Sequence, residues 1–548
     1  MTAPYRDILQ EIRLAFPQPV SDPIHDSYFV HSIMRALDQV DALKSHLPIL
    51  GALVPGDFAE ARKAALPEGT SSVEAVTSDL VGYLRGMTIF GHPRTQQNVV
   101  PPPTIPSLIG AMLAALHNPN VAWDEYSRLV ALAEVEAAGI TARLVGYDPE
   151  QASGVFTFGG TGTTLYGVKI GLEKACPGTM QKGHSEDAVL IVSEAGHYCA
   201  ANIAGWLGLG TDNLITVPTT EENEIDLDHL GRAAREALAS GKRIAAIIAT
   251  LGTTDAFGLD DLQAIAALRD SLVEEFRLPY SPHVHADAVI GWAWSVFGSY
   301  DFEGNPLGFR PRTVRALAGA CRRIRHLSLA DSLGVDFHKT GFAPYVSSLV
   351  LVRDGQDLQL VTRRPEQMPY LYHFGDHRPG MYTLETSRAG TGPLAALANY
   401  RLFGERGLQA VLGHLVEMAQ LLREHLEGHE GTTVLNRDNF GTVTLFRAYP
   451  PGVDTFAIKR REFEDPAGRD SLLAGNDFNR RVFDYVHSEA MEGRGVVISS
   501  TDCYRRTAYG EPIVALKSYI LSPFVDEGDI EEVVARLLEA RERIGGSG

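Results

Sequence analysis

A chain of 548 residues, 45% apolar and 21% charged, has room for roughly two to four packed units and is too apolar to stay disordered. Its formal net charge of −19, with no basic run to offset it, argues against the phosphate backbone of a nucleic acid as partner. The four cysteines, Cys176, Cys199, Cys321 and Cys503, form no CxxC pair, so neither a disulfide framework nor a zinc site is suggested. A reducing, cytoplasmic setting is expected.

In chain order, the N-terminus carries charge where a secretory signal needs an apolar core. Residues 1–105 predict helices joined by proline-rich turns. Phe29, Val30, Ile33, Met34 and Leu37 have amphipathic spacing, and Pro101-Pro102-Pro103 reads as a stiff linker. The best apolar run, Leu108 to Leu116, stops at His117 and Asn118, too short to span a bilayer. A soluble protein with no membrane partner is expected.

From 106 to 390 the pattern changes. Strand-like runs (Ala188 to Val192, Ile244 to Ala249, Val284 to Ala286, Leu327 to Leu329) alternate with helical stretches such as Leu165 to Ala175 and Leu262 to Phe276. That alternation predicts βαβ crossovers and a mostly parallel sheet covered on both faces. After 391 a helix from Pro393 to Phe403 leads into an α+β segment. There Thr442 to Leu445 alternates with period two, as a half-buried antiparallel strand should. A last helix, capped by Asp529, carries the stripe Ile530, Val533, Val534, Leu537 and Leu538. The expected organisation is a helical segment over 1–105, a large α/β domain over 106–390 and a small α+β domain over 391–548.

Chemistry concentrates in Asp336-Phe337-His338-Lys339, read with His285-Ala286-Asp287 upstream. A lysine fixed in a cleft can condense with an aldehyde once its surroundings lower its pKa. A carboxylate just past a short apolar strand can hold a proton on a pyridine nitrogen. Together they look like the two anchors of pyridoxal phosphate. Taken singly, Lys339 reads as a solvated lysine and Asp287 as a strand-end carboxylate. A metal reading of His285 with Asp287 lacks a third ligand at helical spacing, so no metal is expected. Phe158-Gly159-Gly160-Thr161-Gly162-Thr163-Thr164 precedes an apolar helix, where glycines and free N–H groups can receive an anion. It is neither a Walker loop nor a dinucleotide fingerprint.

These motifs appear in an order and spacing that resembles the group II pyridoxal-phosphate decarboxylases, relatives of the aromatic amino acid, glutamate and histidine decarboxylases. The segments that carry the resemblance include His197-Tyr198, Ala249 to Thr254 with Gly258, His285 to Ala288, Ala330 to Lys339 and Ser387-Arg388, from about Gly91 to Phe524. The resemblance implies fold type I, a homodimer with a shared active site, and decarboxylation of an L-amino acid to its amine. It gives Lys339 the cofactor's aldehyde carbon, Asp287 the ring nitrogen, His197 the ring face and Thr254 the ring substituents. Gly160, Thr161 and His338 would hold the phosphate. Residues 363–381 read as a long loop, and the resemblance places there a tyrosine, Tyr370 or Tyr372, that reprotonates the substrate carbon. His197 is the other candidate for that proton.

Two departures stand out: Gly162 where a glutamate is common, and Val289 where alanine often packs against the ring. The rivals are carbon–carbon cleavage yielding an aldehyde, decarboxylation coupled to oxidation, and a silent scaffold. Aromatic, acidic and diamino acids all stand as substrates. Arg363, Arg364, Arg378 and His377 hint at an anionic side chain, with solvated loop charge as the plainer reading.

Overall fold

The computed structural model describes residues 4–184, 187–368, 374–455 and 458–546. In chain order the strands are β1 (Thr95–Gln96), β2 (Ser153–Thr157), β3 (Ala188–Ser193), β4 (Leu214–Val217), β5 (Arg243–Thr250), β6 (His283–Asp287), β7 (Ser332–Asp336), β8 (Ser348–Val352), β9 (Thr432–Val434), β10 (Val443–Ala448), β11 (Val497–Thr501) and β12 (Ala515–Tyr519). They form two sheets. The larger runs β2-β8-β7-β6-β5-β3-β4 and the smaller runs β1-β11-β12-β10-β9.

Within the larger sheet β4, β3, β5, β6 and β7 are mutually parallel, and β8 is antiparallel to both β7 and β2. Every residue of β3, β6 and β7 is buried, the continuous burial of strands covered on both faces. The Gly160–Ala175 helix lies close on this sheet because small residues face it. A Cβ on Gly171 would meet the Ala245 carbonyl oxygen at 2.4 Å, and one on Gly167 would meet His285 Nδ1 at 2.2 Å. Helix-to-strand crossovers bring the carboxyl ends of β3, β5, β6 and β7 to one edge, where open α/β sheets bind ligands.

The smaller sheet is antiparallel apart from β1, which pairs parallel with β11. Its β10 is buried at every position rather than half-buried as the period-two pattern suggested. The Thr391–Glu427 and Arg469–Met491 helices both pack on it, and Arg423 and Asn479 donate to its carbonyls. The Thr391–Glu427 helix carries the predicted Pro393 to Phe403 stretch and bends at Gly404, whose φ of 54° leaves the helical range.

Two other expectations need correction. Leu327–Leu329 is a 3₁₀ turn that tucks Leu327 into the core, and the strand begins later, at Ser332. The last helix, Glu527–Gly545, is capped by Asp526. Asp529 sits one turn in and completes a reciprocal box, each side chain accepting the other's backbone N–H at 3.0 Å. Its stripe buries Ile530, Val533 and Leu537. Near the N-terminus, the Pro23–Asp41, Phe58–Ala61 and Val73–Gly82 helices bury no residue in the single chain. No helix among the described residues is long and apolar enough to cross a membrane.

Candidate active site

A cavity of about 180 Å³ opens at the carboxyl edge of the larger sheet. Gly160, Thr161, His197, Thr254, Asp287, His338 and Lys339 all line it, from five separated segments. Tyr370 and Tyr372 lie outside the described residues. A larger cleft of about 910 Å³, between Glu221 and Arg541, shares none of these side chains. Among the described residues no group of His, Cys, Asp and Glu could hold a metal ion. His285 instead bonds Ser332 Oγ through Nδ1 at 2.8 Å.

Each strand end delivers one group. Asp287 closes β6 and is 6% exposed, and its Oδ1 has no hydrogen-bond partner among the described residues. Burial pushes its carboxyl up, while the charges of Lys339 and His197 pull the other way. Asp336 closes β7, is 1% exposed and accepts from Ser348 Oγ at 2.6 Å. The turn after it swings Lys339 back, so that Nζ sits 3.0 Å from Asp336 Oδ2. The amine is not lowered as expected: burial works against the Lys339 charge, but Asp336 and Asp287 more than offset it and raise the amine above its ordinary value. The ring of His338 stands with Nε2 3.5 Å from the same carboxylate oxygen and its centroid 4.0 Å from that of Tyr345.

Across the cavity, His197 precedes the Cys199–Trp206 helix and its Nδ1 accepts from Cys199 N at 3.2 Å. Burial lowers its pKa, with Asp287 opposing. Burial also lowers His338, so both imidazoles are biased toward the neutral form. The Gly160–Ala175 helix opens at Gly159, whose φ of 115° suits a residue without Cβ. Its first N–H groups have no intrahelical acceptor and carry the positive end of the helix dipole.

Sequence signals for the rest of the wall are weak. Tyr345, Cys199, Thr250 and Ile290 also line the cavity, yet nothing in their spacing marks them. Val289 reaches the wall at Gly160, its Cγ1 3.1 Å from where a Cβ of that glycine would stand. Gly162 has no room for a side chain, since a Cβ would meet Thr157 Oγ1 at 2.6 Å. The brace comes from far along the chain: Glu385 accepts from Thr157 Oγ1 and from Tyr166 OH, each at 2.5 Å. The loop charges serve the loop. Arg363 donates to the carbonyls of Gly380 and Thr383, Arg378 to that of Gly375, and His377 Nε2 stands 3.6 Å from buried Glu134.

A fold of this topology, with a half-buried lysine and a buried carboxylate whose Oδ1 has no partner among the described residues, both lining one cavity, points to the class in which a lysine holds a pyridoxal cofactor. The chain belongs to the pyridoxal-dependent decarboxylases, whose conserved-domain model matches residues 55–448. It is therefore a carboxy-lyase acting on an amino acid with pyridoxal phosphate as cofactor. Over 471 residues it is 26% identical to an L-2,4-diaminobutyrate decarboxylase of Acinetobacter baumannii, covering 83% of this chain and 81% of that one. In fold it is similar to mouse CSAD in apo form (TM-score 0.76, 19% identity, 95% of this chain and 100% of that one). It is likewise similar to Oryza sativa TDC with PLP and tryptamine (TM-score 0.74, 16% identity, 96% and 99%).

The residues present fit the cofactor on their own account. Asp287 Oδ1 is a buried oxygen lacking a donor, the helix start offers free N–H groups to a phosphate, and Lys339 supplies the amine.

Proposed function

We propose that this chain decarboxylates an L-amino acid at the cavity around Lys339. One observation carries the assignment: the Lys339 amine and the partnerless Asp287 oxygen line the same small cavity. In this reading Lys339 holds the aldehyde carbon and Asp287 the ring nitrogen. His197 covers the ring face and Thr254 its substituents, while Gly160, Thr161 and His338 receive the phosphate. Pyridoxal phosphate bound there supplies an electron sink for the pair left on the α-carbon when CO₂ departs.

The protein's part is electrostatic and positional. As a carboxylate, Asp287 keeps a proton on its partner because an opposite charge close by favours the charged form, against the burial that opposes it. His197, biased toward its neutral form by burial, can stack and pass a proton. Lys339 is held charged beside Asp336, so it would hold the aldehyde carbon only after giving up a proton, since the free amine is the nucleophile. A tyrosine at 370 or 372 is the proposed proton donor to the α-carbon.

Among substrates, the Acinetobacter relative's L-2,4-diaminobutyrate comes first, followed by aromatic and acidic amino acids. A homodimer with a shared site is also proposed, and a cytoplasmic location. Support for the dimer comes from apolar side chains left open in the single chain: Ile105, Leu108, Ile109, Met112 and Leu113 on one helix, and Leu129, Leu132 and Val135 on the next long one. Support for the location comes from four cysteines without disulfides.

The test is borohydride reduction of the yellow protein followed by peptide mass spectrometry, alongside amine detection over a panel of amino acids. A pyridoxyl adduct on Lys339 and one amine product are expected. An adduct confined to another lysine, or none, would overturn the assignment.

A further inference from the structure

We propose that Asp336 and the cofactor's phosphate share one proton, so that seating the phosphate draws a proton from solvent. The inference rests on the phosphate position given under the proposed function. Its motive is crowding of like charge. Asp336 Oδ2 stands 2.9 Å from where a Cβ of Gly160 would be, against the first residue of the helix whose free N–H groups form the anion seat. A carboxylate therefore already occupies the edge of the place a phosphate must enter.

The groups facing Asp336 do not balance a second anion. Lys339 Nζ at 3.0 Å and His338 Nε2 at 3.5 Å come from its own turn, and Ser348 Oγ donates from β8 at 2.6 Å. Asp287 faces it from β6, His197 from the loop before the Cys199–Trp206 helix, and Tyr345 from the chain after Lys339. Burial biases both histidines toward neutrality, and the charge of Asp287 is answered by the ring nitrogen it partners. Lys339 is then the principal cation, aided by about half a charge at the helix end. A phosphate monoester brings about −1.5 to −2. Asp336 and a phosphate against that sum behave like two carboxylates in one site, where the pair keeps a proton that neither would keep alone. The proton comes from water and rests between Asp336 Oδ2 and a phosphate oxygen, with no covalent bond made or broken.

The experiment uses the full chain freed of cofactor, titrated calorimetrically at pH 8 in two buffers of different ionisation enthalpy. The probe is pyridoxine 5′-phosphate, whose alcohol cannot condense with Lys339. Wild-type protein should take up between about half and one proton per probe bound, and Asp336→Asn close to none. The variant should also bind about ten-fold more tightly at pH 8, a gain that shrinks toward pH 6, where the phosphate's own second proton binds. Equal uptake in the two proteins overturns the proposal. Wild-type protein carries the same test alone if the variant does not fold. Its affinity should fall several-fold per unit from pH 7.5 to 8.5, and a flat profile overturns the proposal. In either failure a borohydride adduct on Lys339 leaves the cofactor site standing. Absence of both probe binding and that adduct removes the site as well.

Discussion

Acid should loosen this enzyme through two histidines buried behind its cofactor pocket. His283 and His285 are 0% exposed on β6, and both bond Ser332 Oγ at 2.8 Å, His283 through Nε2 and His285 through Nδ1. Burial pushes each down to about 3; for His283, Asp331 opposes the shift and Lys174, His285 and Arg269 add to it. An unfolded histidine titrates near 6.5, so between those values the unfolded chain binds more protons than the folded one. Stability therefore falls as pH falls. Integrated from pH 7 to pH 5, each histidine removes about 2 kcal/mol and the pair about 4, a large share of typical folding stability. The assay is urea unfolding at the two pH values for wild type and His285→Gln. The variant should lose about 2 kcal/mol less on acidification. Because β6 also carries Asp287 on the same face two residues on, cofactor release should begin in the same acid range. If wild type and variant lose equal stability between pH 7 and 5, the buried-neutral account of His285 is wrong.

Three further expectations concern the site. Glu385→Ala removes the acceptor of Thr157 and Tyr166 and should weaken cofactor retention by about ten-fold or more, with Glu385→Gln partly restoring it; dialysis and absorbance report the loss. Tyr370→Phe and Tyr372→Phe should differ: the true donor's variant should slow α-carbon protonation about 10²- to 10⁴-fold and divert product toward aldehyde and peroxide. If both make amine at the parental rate, His197 becomes the donor to test. Met112→Arg, on an exposed apolar helix face, should shift sedimentation toward monomer, and an unchanged dimer would remove that face from the interface.

The sheet was readable in sequence where burial is total. Ala188 to Val192 and Ile244 to Ala249 are continuous apolar runs, and β3 and β5 follow them with one or two residues added at the ends. Leu262–Phe276 was readable at both ends, because Asp261 caps it through Ala264 N and Arg277 takes a left-handed conformation after it. Leu327 to Leu329 misled because three apolar residues fit a tucked turn as well as a strand, whereas β7 begins with Ser-Leu-Gly. The motif residues could be gathered because each closes a strand or opens a helix. Glu385 could not be found that way, since its partners lie more than two hundred residues earlier and the contact exists only in three dimensions. Tyr345 escaped for a similar reason: its place on the cavity wall depends on the turn after β7, which no local periodicity encodes.

The short strand β1 has an outcome in time as well as in space. Thr95 and Gln96 pair with Val497 and Ile498, and Gln96 Oε1 accepts from Ser518 Oγ at 2.7 Å. A ribosome emitting about 5–20 residues per second delivers those partners tens of seconds after β1 has emerged. Through that interval the segment has no sheet to join, and its open backbone is a template for the wrong strand. The larger sheet, by contrast, has all its strands once residue 352 is out. Synthesis thus separates the two sheets into an early and a late event, and a chain stopped short of residue 497 would carry a finished pocket beside an orphaned edge.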